Sequence, residues 1–173
     1  NQQKITPTAI DEQLAKLRLA YPSAATYVLQ NLVDSHDTDR LVSMALNPDR
    51  GYDQRNRVQD SNPHYDNSKP GPEEYQRARL VVLLQMTYVG APMVYYGDEV
   101  GMTGGNDPDS RGAFPWHDED AWDLDLLAYF KRAIALRHAH PSLRTGTVKL
   151  LRADDDVVAF LRTLEENGTR EDA

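Results

Sequence analysis

A chain of 173 residues sets a prior of one domain with room for the start of another, and 40% hydrophobic content is ordinary for a globular protein. A formal net charge of −8 argues against nucleic acid as a partner, because neutralising phosphates needs clustered Lys and Arg. With no cysteine, a disulfide framework and a thiolate zinc site are excluded, and the longest apolar stretch, residues 80–89, is far short of the roughly 20 residues of a membrane span.

Asn1-Gln2-Gln3-Lys4 carries no apolar signal segment. Thr6 and Pro7 suit the N-cap and first position of a helix, and Ile10, Leu14 and Leu17 supply its apolar stripe up to Tyr21-Pro22. A short helix is expected over residues 23–30, then a strand over 31–34 and a short helix over 40–46. Residues 47–72 hold four prolines, many Asp and Asn and almost no aliphatics, so they read as a long polar loop. A loop of that length is either a substrate-facing lid or a solvated insertion. Residues 73–89 form an amphipathic helix with acids in its first turn, closed by Gly90-Ala91-Pro92. A buried strand is expected over 93–96, and a second long Gly- and Asp-rich loop over 97–120. Trp122, Leu126, Leu127, Phe130 and Ile134 mark one side of a helix over 122–139, which His138, His140 and Pro141 close. Residues 148–151 and 157–162 read as a strand pair around Ala153–Asp156.

Helix and strand alternate up to the final hairpin, which implies a parallel sheet and an α/β class. A complete barrel of eight βα units takes about 250 residues, so this chain accounts for the last two units and the first strands of a β domain. The expected division is residues 1–144 as barrel and 145–173 as the start of an all-β domain, with both ends as cuts in a longer protein.

The dense polar run Asp34, Ser35, His36, Asp37, Thr38, Asp39, Arg40 follows an apolar strand entry, Leu32-Val33. Polar groups at strand C-terminal ends are where α/β barrels keep their active sites. Met93 to Tyr96 runs into Gly97-Asp98-Glu99 in the same way. Two acid-rich loops after two strands point to sugar or phosphate chemistry at one barrel face. Asp34, His36, Asp37 and Asp39 are competent metal ligands, but alternate residues at a strand end face opposite ways, so about two at most would meet one ion. A carboxylate and an imidazole hydrogen-bonding a polyol fit better. The alternative is structural: a buried Asp34–Arg40 pair, Asp37 as the cap of the next helix, and His36 merely satisfied. Asp107, Asp109, Gly112 and Asp118 match EF-hand offsets, but Arg111 stands where an oxygen ligand is needed, so a calcium loop is rejected. Asp107 and Arg111 instead suggest a fixed ion pair in the loop. Asn167-Gly168-Thr169 fits a glycosylation sequon.

Residues 31–40, NLVDSHDTDR, resemble the seventh-strand motif of the α-amylase superfamily, glycoside hydrolase family 13. Residues 90–99, GAPMVYYGDE, resemble its eighth-strand motif, and GGNDPDSR at 104–111 resembles the loop that follows. Ser35 before the His-Asp pair, together with residues 101–108, is most similar to the neopullulanase and cyclomaltodextrinase subgroup. The resemblance spans about residues 5 to 162.

The resemblance implies that Asp37 is the catalytic carboxylate that holds the sugar at subsite −1 and stabilises the oxocarbenium-like transition state. It implies that His36 binds the same sugar, and that Asp107 and Arg111 line the subsite. Retention needs a nucleophile and a separate acid/base about 5–5.5 Å apart, which the family keeps on its fourth and fifth strands. Neither the Gly-x-Arg-x-Asp motif nor a matching Gly-Glu strand end occurs in this sequence. The implied function is part of a retaining α-glucan hydrolase acting on maltooligosaccharides, cyclodextrins or pullulan. A transglycosylase or isomerase of the family, and a non-catalytic carbohydrate-binding relative, are the alternatives. No cofactor is required; a structural calcium in the parent has no ligands identified here. The expected partners are an α-glucan oligosaccharide and the rest of the barrel, with self-association of the isolated chain through unpaired strand edges. Compartment is left open.

Overall fold

The computed structural model describes residues 5–48, 50–51, 54–57, 62–154 and 156–173. Residues 1–4, 49, 52–53, 58–61 and 155 therefore lie outside the description. The described elements run α1 (Pro7–Leu19), α2 (Ser23–Thr26), β1 (Gln30–Leu32), α3 (Leu41–Leu46), α4 (Pro72–Thr87), β2 (Ala91–Met93), three 3-10 turns, α5 (Leu124–Ala139), α6 (Pro141–Thr145), β3 (Thr147–Asp154), β4 (Val157–Glu166) and β5 (Thr169–Asp172). Strands β1 and β2 pair in a two-stranded sheet, and β3-β4-β5 form a second, antiparallel sheet. Among the described residues no helix is long and apolar enough to cross a membrane.

The chain forms two compact units. The first holds Leu32–Leu83 and Met93–Ala133; the second holds Ile5–Asn31, Leu84–Pro92 and Ile134–Ala173. The long helices α4 and α5 therefore give residues to both.

In the first unit, α4 begins as a capping box would. The Gly71 amide donates to Glu74 Oε2 at 2.9 Å, and Pro72 needs no donor at that position. Tyr75, Ala78 and Val82 are buried at helical spacing on its inner face. Helix α5 starts at Leu124, two residues later than its apolar pattern predicts. The Asp123 carboxylate accepts from the Leu126 amide at 2.6 Å and so takes the N-cap position. Leu126, Phe130 and Ala133 are buried, as the stripe predicts for the first two, whereas Ile134 is 37% exposed.

In the second unit, Thr6 caps α1 by accepting from the Ala9 amide at 3.2 Å. The α1 stripe is covered less than its periodicity predicts: Ile10 and Leu14 are half-buried and Leu17 is exposed. Asn31 and Gln85 exchange two hydrogen bonds, at 2.7 and 3.3 Å, which tie β1 to the end of α4. Arg137 donates to the carbonyls of Met86, in the last turn of α4, and of Tyr88 and Gly90 in the segment that follows it. Arg162 on β4 is fully buried and donates to the carbonyls of Thr87, Leu143, Gly146 and Thr147.

Five sequence expectations need correction. The short helix at residue 23 ends at Thr26, and β1 covers Gln30–Leu32 rather than 31–34, because Asp34 leaves the strand to cap α3. Strand β2 covers Ala91–Met93 rather than 93–96, because Tyr95 and Tyr96 turn away to bind other loops. His140-Pro141 does not simply close a helix: it opens α6, with Pro141 at its first position. The final sheet has a third strand, β5. The turn into it is Asn167-Gly168, both at positive φ (52° and 77°), the hairpin pair that favours left-handed backbone at both central residues.

Candidate functional site

The segment after β1 divides its polar residues by side. Asp34, Asp39 and Arg40 turn inward and are at most 2% exposed; His36 and Asp37 turn outward. The two sets do different work.

The inward set is structural. Asp34 Oδ2 accepts from the Leu41 amide at 2.8 Å at the start of α3. Asp34, not Asp37, is therefore the helix cap. Asp98 faces Asp34 and hydrogen-bonds it. Burial, then the charge of Asp34, holds the Asp98 carboxyl well above the ordinary carboxylate range, and burial raises Asp34 as well. Two carboxyl groups in one dry site cannot both ionise cheaply. Arg40 Nη1 lies 3.9 Å from Asp98 and donates to the Tyr96 carbonyl at 2.6 Å.

Asp39 anchors the long polar loop. Its Oδ2 accepts from Arg50 at 2.6 Å and from the Tyr65 hydroxyl at 2.8 Å, and its Oδ1 lies 3.4 Å from Asn56 Nδ2. Burial, then the Asp39 charge, pushes the Tyr65 phenol upward, so it remains a donor. Tyr65 and Asn56 are buried and Thr103 donates to the Asn67 carbonyl, so the described part of this loop is anchored at these points while most of its other residues are exposed.

The outward set converges with the loop after β2. Asp37 Oδ1 accepts from Arg111 Nη2 at 3.0 Å, and Asp37 Oδ2 lies 3.1 Å from His36 Nε2. Arg111 Nε donates to Asp107 Oδ1 at 2.6 Å. His36, Asp37, Arg111 and Asp107 thus form one continuous chain of contacts, although Asp37 and Arg111 are 74 residues apart. The hydrogen bond to Asp107 raises the Arg111 guanidinium further above its ordinary value. Ser110 Oγ donates to the His36 carbonyl at 2.9 Å and joins the two backbones. The Asp37 and Arg111 side chains are 67% and 47% exposed, so the row opens to solvent and can meet a ligand. Alternating hydroxyl donors and acceptors of a polyol suit a row of carboxylate, imidazole and guanidinium.

All four sequence-derived candidates are therefore brought together. The sequence offers Asp39 only as a competent metal ligand and Asp98 only as a member of an acid-rich loop, and it gives Ser110 no role of its own. Their observed roles have no local signal, because they depend on partners 11 to 74 residues away in sequence. Among the described residues no group of three or more His, Asp or Glu side chains is placed to hold a metal ion.

No protein-family model matches the chain. It is 40% identical over 151 residues to a cyclomaltodextrinase from a Bacillus species, covering 86% of this chain and 22% of that protein. It is 36% identical over 158 residues to neopullulanase 2 of Thermoactinomyces vulgaris, covering 90% of this chain and 22% of that protein. The structure superposes on the cyclic α-maltosyl-(1→6)-maltose hydrolase of Arthrobacter globiformis, in complex with cyclic α-maltosyl-(1→6)-maltose, with a TM-score of 0.73 and 31% identity. That alignment covers 93% of this chain and 30% of the hydrolase. The chain thus spans about a fifth of the length of these two curated relatives. Its fold is α/β, part of a TIM barrel followed by a C-terminal antiparallel sheet. With three loop motifs in order, their side chains in contact and this similarity over nearly the whole chain, the chain belongs to the α-amylase family, glycoside hydrolase family 13, on its cyclomaltodextrinase-like branch.

Proposed function

We propose that this chain supplies the C-terminal face of the sugar-binding cleft in a retaining α-glucan hydrolase. Asp37 is the transition-state-stabilising carboxylate, His36 contacts the same sugar, and Arg111 with Asp107 forms the wall of subsite −1. The observation that carries this reading is the unbroken contact row from His36 to Asp107 across two loops far apart in sequence. As the sugar ring flattens and gains positive charge, a fixed carboxylate gains energy with it, whereas the ground-state sugar gains little. Arg111 holds Asp37 on one side and His36 holds it on the other, so the carboxylate needs little reorganisation at the reacting centre. The nucleophile and the acid/base come from segments outside these residues, and the chemistry needs no cofactor. Residues 145–173 are proposed to open the C-terminal all-β domain.

The test uses the enzyme that carries this chain together with the two missing carboxylates. It is expected to hydrolyse cyclodextrins or maltooligosaccharides with retention, and the 173-residue chain alone is expected to show no turnover. Turnover by the chain alone would overturn the division of labour proposed here. Size measurement in solution checks the accompanying expectation that the isolated chain self-associates through its unpaired strand edges.

A further inference from the structure

An exposed arginine does not hold one geometry by ion pairing alone. Its side chain has many rotamers, and a surface pair contributes little order. Arg111 is 47% exposed, yet its backbone is held on both sides. The Tyr95 hydroxyl donates to the Ser110 carbonyl at 3.3 Å, and the Tyr96 hydroxyl donates to the Gly112 carbonyl at 2.8 Å. These carbonyls belong to the residues immediately before and after Arg111.

The two phenols are themselves positioned. Their rings lie 4.7 Å apart, tilted by 60°. The Arg40 guanidinium carbon lies 4.8 Å from the Tyr95 ring centre and 4.7 Å from that of Tyr96. Arg40 is fully buried, and its Nε and Nη2 have no hydrogen-bond partner among the described residues. It therefore works as a flat cationic plate for two aromatic rings more than as an ion-pair partner. Gly97 shows how tightly the chain closes on it: at φ +91°, an added Cβ would lie 3.0 Å from Arg40 Nη1 and 2.2 Å from Met102 Sδ. Burial and the adjacent Tyr96 push the Tyr95 phenol up to about 12, so its hydroxyl remains a donor at neutral pH.

We propose that Tyr95, Tyr96 and Arg40 are positioning residues for Arg111: Arg40 sets the two rings, and the two hydroxyls clamp the backbone on either side of the subsite arginine. This rests on the reading of Arg111 as a subsite residue. The clamp explains why a loop with almost no apolar side chains near Arg111 presents its guanidinium to Asp37 in one place.

The experiment is a double-mutant cycle in the enzyme that carries this chain. Tyr95→Phe/Tyr96→Phe keeps both rings and the stacking on Arg40 but removes both hydroxyls. A loss in kcat/KM on a cyclodextrin of roughly three- to tenfold is expected, with melting temperature nearly unchanged. The same pair of substitutions in an Arg111→Ala background is expected to cost nothing further, because the clamp then has nothing to position. A full additional loss in that background would overturn the proposal. A second readout does not depend on turnover. In the 15N-labelled 173-residue chain, the Arg111 Nε–H should exchange slowly with solvent, held by Asp107, and faster in Tyr95→Phe/Tyr96→Phe. Unchanged exchange would overturn the clamp whatever the substrate. If Arg111→Ala leaves turnover intact while exchange responds as expected, the subsite reading fails and the clamp stands.

Discussion

Arg40 and Arg162 are both fully buried, one in each compact unit, and their surroundings are opposite. Arg162 donates to four backbone carbonyls, at 2.6 to 3.2 Å, and closes the ends of α4 and α6 against β3. Burial pulls it down to about 10, with Arg137 adding to the effect, so it stays charged at neutral pH. Arg40 donates to one carbonyl and spends its faces on two tyrosines. The second unit uses its arginine to satisfy backbone carbonyls. The first unit uses its arginine to carry loops. The contrast shows how one residue type serves packing in one place and presentation of a site in another. The number of acceptors around the guanidinium decides which.

The comparison can be broken from either side. The largest effect is expected on the site side: Asp37→Asn in the enzyme carrying this chain should lower turnover roughly a hundredfold or more, mainly in kcat, with folding intact. Steady-state kinetics beside a thermal melt checks this, and near-normal turnover would remove Asp37 from its proposed role. Arg111→Ala should follow, with a substantial loss in kcat/KM and little change in melting temperature, since Asp37 and Asp107 lose their shared partner at an exposed site. A variant that mainly unfolds and keeps normal kinetics would place Arg111 with Arg162, as a structural residue.

On the packing side, Arg162→Leu should destabilise the chain by about 3 kcal/mol or more, because several buried carbonyls lose a charged donor together. Denaturant titration reads this directly, and a loss within error would mean that water replaces the arginine without cost. A fourth test concerns the acids behind Arg40. Asp34 and Asp98 both have folded values above the ordinary 3.8. Between 3.8 and those folded values, the unfolded chain has released protons that the folded chain keeps. Stability should therefore fall as pH rises through that window and level off above it. Asp98→Asn removes one titration, keeps a donor for Asp34, and should flatten the slope in urea melts taken from about pH 4 to pH 8. An unchanged slope would mean that the pair does not share a proton. The smallest effect belongs to an exposed pair. Arg77 Nη2 lies 2.5 Å from Glu73 Oε1, one turn apart on α4, and Glu73→Ala should cost only about 0.3–0.5 kcal/mol by chemical denaturation.

Much of the architecture was legible before any coordinates. The Thr6-Pro7 start of α1, the acids at the start of α4 and the Leu126–Phe130 stripe of α5 are local signals, because capping and amphipathicity act within one or two turns. His36, Asp37, Asp107 and Arg111 could be singled out for the same reason: each lies in a short motif whose residues resemble those of a known family. The Asn167-Gly168 turn is equally local, because both residues suit the left-handed backbone that joins β4 to β5. What only the tertiary structure decided is which way each polar group faces and what it meets. Nothing in the run Asp34 to Arg40 says that Asp34 caps α3, that Asp39 anchors Arg50 and Tyr65, or that Arg40 lies over Tyr95 and Tyr96. Those outcomes depend on burial and on partners far away in sequence, where desolvation decides whether a charge is paired, neutralised or left to solvent. The sequence by itself determined the chemistry available at the site; long-range packing decided which of its charges face the ligand.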